Sequence, residues 1–355
     1  MDILKIDESA SENVAPDAIE DNIFDGSEIQ KLLSKQSEVK THRTVIITDI
    51  DNSFYRPDMP HESQKIFHEA TIENTPVIAI TGGNIDHVIS LINLKKLPRF
   101  HVVASSVGTT IWVLKRENGG LKYERDRRFE NRLIEIGFVR ENLLPIASEM
   151  IDKFRDIFPW ADLAFQQPEQ ERERLISGKT DINDIERFRI TFYFRANNSD
   201  EIKQISDAVS NYFSEYNVII CQSGSREDQQ NRYELDLVPV TKVEAANYLV
   251  EELGIDQGLV AGDSANDVEM LLKTKKMIPV VVGGAQPELK TAIEEIEKTE
   301  NMVQSGSFFY AKVDNDNKLI YVEKGNRKGP ESIEYAAEVL QRASERNKIE
   351  QENAK

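Results

Sequence analysis

A single cysteine, Cys221, stands among 355 residues. A disulfide within the chain needs two, so no covalent staple holds the fold, and a zinc site built on clustered thiolates is excluded as well. Long apolar runs are also missing: none approaches the roughly 20 residues that a membrane-crossing helix requires. Positive charge is in deficit, with 44 Lys and Arg against 62 Asp and Glu and a formal charge of −18. A surface of that sign repels phosphate backbones and anionic lipid, which argues against nucleic acid or a membrane surface as partner. The opening residues Met1-Asp2-Ile3-Leu4 lack the basic-then-apolar pattern of a secretion signal. With the lone cysteine, this predicts a cytoplasmic setting. The five histidines (His42, His61, His68, His87 and His101) are dispersed without metal-ligand spacing and are expected in surface or core roles.

What is present suffices for a sizeable core: 39% of residues are hydrophobic beside 30% charged, and the length fits two domains or one domain carrying an insertion. Residues 1–43 mix acids, Ser and Asn, with only a weak helical pattern around Ile29, Leu32 and Leu33, and are expected to form an acidic disordered tail. Order begins at Thr44-Val45-Ile46-Ile47, a β-branched run suited to a strand buried on both faces. Further apolar runs at Pro76 to Ile80, Phe100 to Ser105, Leu259 to Ala261 and Ile278 to Val282 alternate with helical stretches. That alternation predicts an α/β fold with a doubly wound parallel sheet. Residues 115–238 read differently, with a long helical stretch from Leu143 to Phe158 and alternating strands at Arg189 to Phe194 and Tyr233 to Val238. Alternation predicts a sheet wet on one side, and hence an inserted α+β unit between core segments 44–114 and 239–340. Residues 341–355 read as a polar C-terminal tail.

Four loops could carry chemistry. Asp49 directly follows the first strand and Asp51 lies two residues on. Carboxylates at the carboxyl end of a parallel strand are within reach of a ligand, and their mutual repulsion is relieved by a divalent cation or a shared proton. The plainer reading is a turn, since Asp, Asn and Ser are common turn residues. Thr81-Gly82-Gly83 offers a hydroxyl and glycine N–H groups that could hold an anion, or a sharp bend with no ligand. Lys242 falls in the first turn of a helix marked by the Thr241 and Glu244 capping-box spacing, where a cation is unfavourable unless an anion binds nearby. Last comes Gly262-Asp263-Ser264-Ala265-Asn266-Asp267, again directly after a strand. Asp267 could serve only as a cap, whereas Asp263 ends its strand as Asp49 does, so the two could share a hard cation.

In order and spacing these elements resemble the haloacid dehalogenase-like phosphohydrolase superfamily. Asp49-x-Asp51-x-Ser53 is similar to its first motif, Thr81-Gly82 to its second, Lys242 to its third and Gly262-Asp263-Ser264-x-Asn266-Asp267 to its fourth. The gap from Thr81 to Lys242 accommodates the inserted cap termed C2. Within the superfamily the chain resembles the sucrose-phosphate phosphatase-like group through Ser105 to Ile111, Gln167-Pro168-Glu169, Glu234 to Pro239 and Gly284 to Leu289. Ser53 stands where that group commonly has Thr, and Gly83 where it commonly has Arg. The resemblance implies a Rossmann-like core and Mg²⁺-dependent hydrolysis of a phosphorylated saccharide. Asp49 would be the nucleophile that becomes an aspartyl-phosphate, Asp51 the general acid and base, and Thr81, Gly82, Lys242 and Asn266 the phosphate contacts. Asp49, Asp51 (by its carbonyl), Asp263 and Asp267 would hold the metal, and the cap residues Gln167, Glu169 and Asp236 are expected to contact the sugar. Alternatives that keep this architecture are a sugar phosphomutase and a non-enzymatic partner of a glycosyltransferase.

Overall fold

The computed structural model describes residues 27–39, 44–62, 64–65, 68, 75–117, 120–165, 187–223, 231–287, 289, 291–292, 302–305, 308–313, 318–323, 330–334 and 336–337. Among the described residues the chain builds two sheets. Parallel strands β1 (Thr44–Thr48), β2 (Val77–Ile80) and β3 (Val102–Ser105) are followed by antiparallel β4 (Thr110–Glu117) and β5 (Gly120–Arg125). Strands β6 (Ala164–Phe165), β7 (Ile190–Arg195), β8 (Ile219–Ser223) and β9 (Arg232–Val238) form a separate antiparallel sheet in the order β6-β7-β9-β8. The chain then returns through β10 (Gln257–Gly262), β11 (Met277–Val281), β12 (Met302–Ser305), β13 (Phe308–Val313) and β14 (Lys318–Glu323). The large sheet runs β12-β13-β14-β11-β10-β1-β2-β3-β4-β5, parallel from β14 to β3.

The five residues of β1 are buried, as a β-branched run flanked by strands requires. Its alternate side chains enter two apolar layers: Val45 and Ile47 pack with Ile78, Ile80 and Val260 on one face, and Ile46 with Val77, Ala79, Leu259 and Ala261 on the other. Each such buried aliphatic side chain contributes about 1.5–3 kcal/mol. β1 lies between β2 and β10, the point at which the strand order reverses, and its carboxyl end opens on the crevice where ligands of such sheets bind.

Three expectations are corrected. Within the supposed tail 1–43, residues Ser27–Val39 form helix α1, whose Ile29 and Leu33, one turn apart, are buried with the core while α1 packs on β4. Residues 115–125, assigned to the insertion, complete β4 and β5 of the large sheet. Helix α3 (Arg127–Ile136, after α2 at Ile85–Asn93) lies against the core too, through a Phe129–Tyr248 ring contact and an Arg128–Glu252 ion pair at 2.9 Å.

The insertion proper comprises α4 (Arg140–Ile157), α5 (Ser199–Tyr212) and the four-stranded sheet. Leu143, Ala147, Ile151 and Phe154 of α4, with Ile205 and Val209 of α5, cluster with Phe192, Leu235 and their neighbours in the sheet. On the opposite face Thr191, Asp236 and Cys221 stand in register. That face is not wet as its alternation predicted: Thr191 and Asp236 are buried, because β8 packs against the core turn Ala265–Asp267. Only Pro239, Val240 and Thr241 separate β9 from helix α6 (Lys242–Glu252), with α7 (Val268–Lys273) beyond it. Residues 1–26 and 341–355 lie outside the described residues. Among the described residues no helix is long and apolar enough to cross a membrane.

Candidate active site

Parallel pairing sets the two acidic strand ends side by side. Thr48 is the register partner of Ala261, and the Asp49 N–H donates to the Ala261 carbonyl at 2.9 Å. Lys242 reaches them from the first turn of α6. The capping box forms as the spacing predicts, with Glu244 accepting from the Thr241 N–H at 2.7 Å, which fixes where the helix begins. From there the Lys242 ammonium donates to Asp49 Oδ1 at 2.8 Å, Asp267 Oδ1 at 2.7 Å and Asn266 Oδ1 at 3.1 Å. These are short, charge-assisted contacts to a side chain only 2% exposed.

Charge is out of balance in this pocket. Asp49, Asp263 and Asp267 each place an oxygen within 4.8 Å of the others, all buried, around one ammonium. Burial pushes the Asp49 carboxyl well above its ordinary range, Lys242 pulls it back, and Asp267, Asp263 and Asp51 raise it further. Burial and then Asp267 push Asp263 up to about 7, against the pull of Lys242 and the Ser53 hydroxyl, which donates to Asp263 Oδ1 at 3.0 Å. For Lys242, burial works to remove the proton, but Asp267 and Asp49 prevail and hold it as an ammonium well above its ordinary pKa. Oxygen donors in surplus over positive charge fit a hard divalent cation.

Asp267 caps the turn, as its spacing predicts, and also holds the lysine. Its Oδ2 accepts from the Asp263 and Ser264 N–H groups, each at 3.1 Å, while Oδ1 holds Lys242. Gly262 is required beneath it, since a Cβ there would lie 2.5 Å from the Asp267 Cβ. A second brace is the loop after β3. Ser106 and Val107 adopt left-handed backbone (φ 53° and 63°) and donate to the Gly83 and Thr81 carbonyls at 2.8 and 3.0 Å. Gly108 (φ 88°) lets the loop approach the start of α6, where a Cβ on it would lie 3.1 Å from the Lys242 Cα. One loop thus ties the Thr81 corner to the lysine helix, which accounts for the Ser105 to Ile111 stretch.

The structure brings Asp49, Asp263, Asn266, Asp267 and Lys242 together. Thr81, 1% exposed, and Gly82 close the neighbouring strand β2. The Asp51 carboxylate stands apart from the buried triad and is partly exposed, with His87 Nε2 at 3.9 Å. Asp236 lies in the cap and accepts from Thr191 Oγ1 at 2.5 Å. Gln167 and Glu169 lie outside the described residues. Sequence reasoning missed His87, whose buried Nε2 has no hydrogen-bond partner among the described residues; its signal was a place in the first turn of the helix that opens after Thr81-Gly82-Gly83. It also missed Arg189 and Thr191, which read only as members of an alternating strand.

Comparison with solved structures finds several that are similar to this chain. The sucrose-phosphatase of Synechocystis sp. PCC6803, solved with sucrose and phosphate, superposes with a TM-score of 0.55 at 19% identity, covering 84% of this chain and 98% of that one. The haloacid dehalogenase-like hydrolase protein yhjK of Bacillus subtilis gives a TM-score of 0.45 at 17% identity, over 76% and 98% of the two chains. The haloacid dehalogenase subclass IIB sugar phosphatase BT4131 gives 0.40 at 14%, over 73% and 98%. No curated protein matches the chain. The model of the family described as sucrose-6F-phosphate phosphohydrolase matches residues 42–312. The chain belongs to that family, and it is a phosphatase of the haloacid dehalogenase type.

Proposed function

We propose that the chain hydrolyses a phosphorylated saccharide related to sucrose phosphate, with Mg²⁺ as cofactor and Asp49 as the covalent nucleophile. The observation that carries this reading is the Asp49 carboxylate on the Lys242 ammonium at 2.8 Å, beside two further buried carboxylates. Asp49 is the strand-end group a phosphorus atom would meet, and its carboxylate attacks in line to form the aspartyl-phosphate. Asp51, partly exposed at the mouth, donates a proton to the leaving sugar oxygen and later takes one from the attacking water. Lys242, Thr81, the Gly82 backbone and Asn266 receive the phosphoryl oxygens; such transfer depends mainly on positioning and charge stabilisation. Asp49 and Asp263, with the Asp51 carbonyl, would hold the metal, and Asp267 braces that set. When bound, Mg²⁺ supplies charge neutralisation for the phosphoryl group.

Residues of the inserted unit act as a cap that excludes water and selects the leaving group. Asp236 is on its core-facing side, whereas Gln167 and Glu169 enter on the family resemblance alone. A cytoplasmic setting belongs to the same reading, on the sequence grounds given above. The test is a screen of phosphorylated mono- and disaccharides with and without Mg²⁺, following inorganic phosphate and sugar products together. Metal-dependent phosphate release from a disaccharide phosphate is the expected result. Conversion to an isomeric sugar phosphate would make the chain a mutase, and activity indifferent to Mg²⁺ would remove the metal from the scheme.

A further inference from the structure

Arg189 crosses from the cap to the core. It sits one residue before β7 and is 7% exposed. Its own carbonyl accepts from Arg140 Nε at 3.0 Å, its Nε lies 3.9 Å from Asp236 Oδ1, and its Nη1 donates to the Gly82 carbonyl at 2.6 Å. Burying a guanidinium costs several kcal/mol unless its donors are engaged, and this one is engaged on both sides of the domain boundary. The planar fork suits the task, with one edge toward a carboxylate and the other toward a carbonyl.

The carbonyl it grips belongs to the Gly82–Gly83 peptide. The N–H of that peptide, on Gly83, donates to Thr81 Oγ1 at 3.1 Å. In a planar trans peptide the C=O and N–H point in opposite directions, so fixing one fixes the other. A peptide between two glycines meets little steric resistance to rotation, and no atom lies within 4 Å of a Cβ placed on Gly82. The flanking Thr81 and Gly83 carbonyls are held by Val107 and Ser106 of the β3 loop, and the carbonyl of the peptide itself is held by Arg189. A hydroxyl that accepts from this N–H has its own O–H free to point elsewhere, and Thr81 ends the strand beside that of Asp49.

We propose that Arg189 is a positioning residue: by holding the Gly82 carbonyl from the cap, it orients the Gly82–Gly83 peptide and leaves the Thr81 hydroxyl as a donor to the phosphoryl group. The phosphate-binding corner is then complete only while the cap is seated. This rests on the phosphatase reading of Thr81 above, and the test separates the two.

The full chain is compared with R189M, R189K, T81V and T81V/R189M, by steady-state phosphate release and by calorimetry of inorganic phosphate with Mg²⁺. R189M is expected to lower kcat by between about 10- and 10²-fold with little change in KM. R189K, which keeps a donor, is expected to recover part of the loss. R189M should add little further loss to T81V, for kcat and for phosphate affinity alike, since both act through one hydroxyl. Additive losses, an effect confined to KM, or an unchanged kcat in R189M would overturn the inference and leave the phosphatase reading standing. A wild type that binds phosphate but releases none from any ester would sink the substrate reading, while the cycle on phosphate affinity still decides for Arg189. A wild type that does neither overturns both.

Discussion

The strand ends of the core (the floor) and the inserted sheet facing them (the roof) both contain buried carboxylates, yet the two are wired differently. On the floor Asp49, Asp263 and Asp267 share a single ammonium, Lys242. In the roof Asp236 has the Thr191 hydroxyl and a guanidinium of its own, Arg189. The roof is close to electrically complete. The floor is not, and burial pushes protons onto Asp49 and Asp263 in consequence. A group already matched within the protein stabilises a shape, whereas one left in surplus is available for chemistry. The same residue type is thus matched by partners in the inserted sheet and left in surplus at the strand ends of the core.

The sharpest way to break the contrast is Asp49→Asn. If the floor is the reactive side, phosphate release falls by on the order of 10⁴-fold or more, while the circular dichroism spectrum stays that of the wild type. Asp51→Asn should follow at about 10²–10⁴-fold, carried by kcat rather than KM; a loss confined to KM would refute its proton-transfer role. Lys242→Met leaves buried carboxylates without a counter-charge, and urea unfolding at pH 8 without Mg²⁺ is expected to show about 3–5 kcal/mol of destabilisation. In the roof, Thr191→Val takes one hydroxyl from Asp236 and should cost about 1–3 kcal/mol. A larger loss in the roof than in the floor would invert the comparison.

The smallest expected effect is a pH dependence. Below the ordinary carboxylate range Asp263 carries its proton in both the folded and unfolded chain; from there to about 7 only the folded chain keeps it. Stability of the metal-free protein therefore falls as pH rises through that window. A cation that takes the place of the proton should offset the fall. The gain in melting temperature from Mg²⁺ over EDTA is expected to be greater at pH 8 than at pH 5.5 by about 2–4 °C. Equal gains would argue that the triad does not hold the ion.

Legibility in the sequence follows the same divide. The parallel strands were readable because β-branched runs buried on both faces have few other uses, and each floor residue sits within a few positions of a strand end or helix start. Roof contacts are set by register: Thr191, Asp236 and Cys221 meet only because β7, β9 and β8 pair as they do, and no local pattern encodes that pairing. The insertion was placed too early because Lys115-Arg116-Glu117 and the Arg- and Glu-rich α3 read as solvated. The seat of α3 on the core rests on a few residues, such as Phe129 and Leu133. Helix α1 was read as part of a tail because Ile29, Leu32, Leu33 and Val39 are the apolar positions of an otherwise polar stretch.

The short link from β9 to α6 has a mechanical consequence. Pro239, Val240 and Thr241 span at most about 10 Å when stretched, and proline takes one torsion out of play. Large excursions of the inserted unit must therefore turn about this point or else pull on the anchorage of Lys242. The capping box of Thr241 and Glu244 resists that pull, so the tether couples the seating of the inserted unit to the place of the Lys242 ammonium.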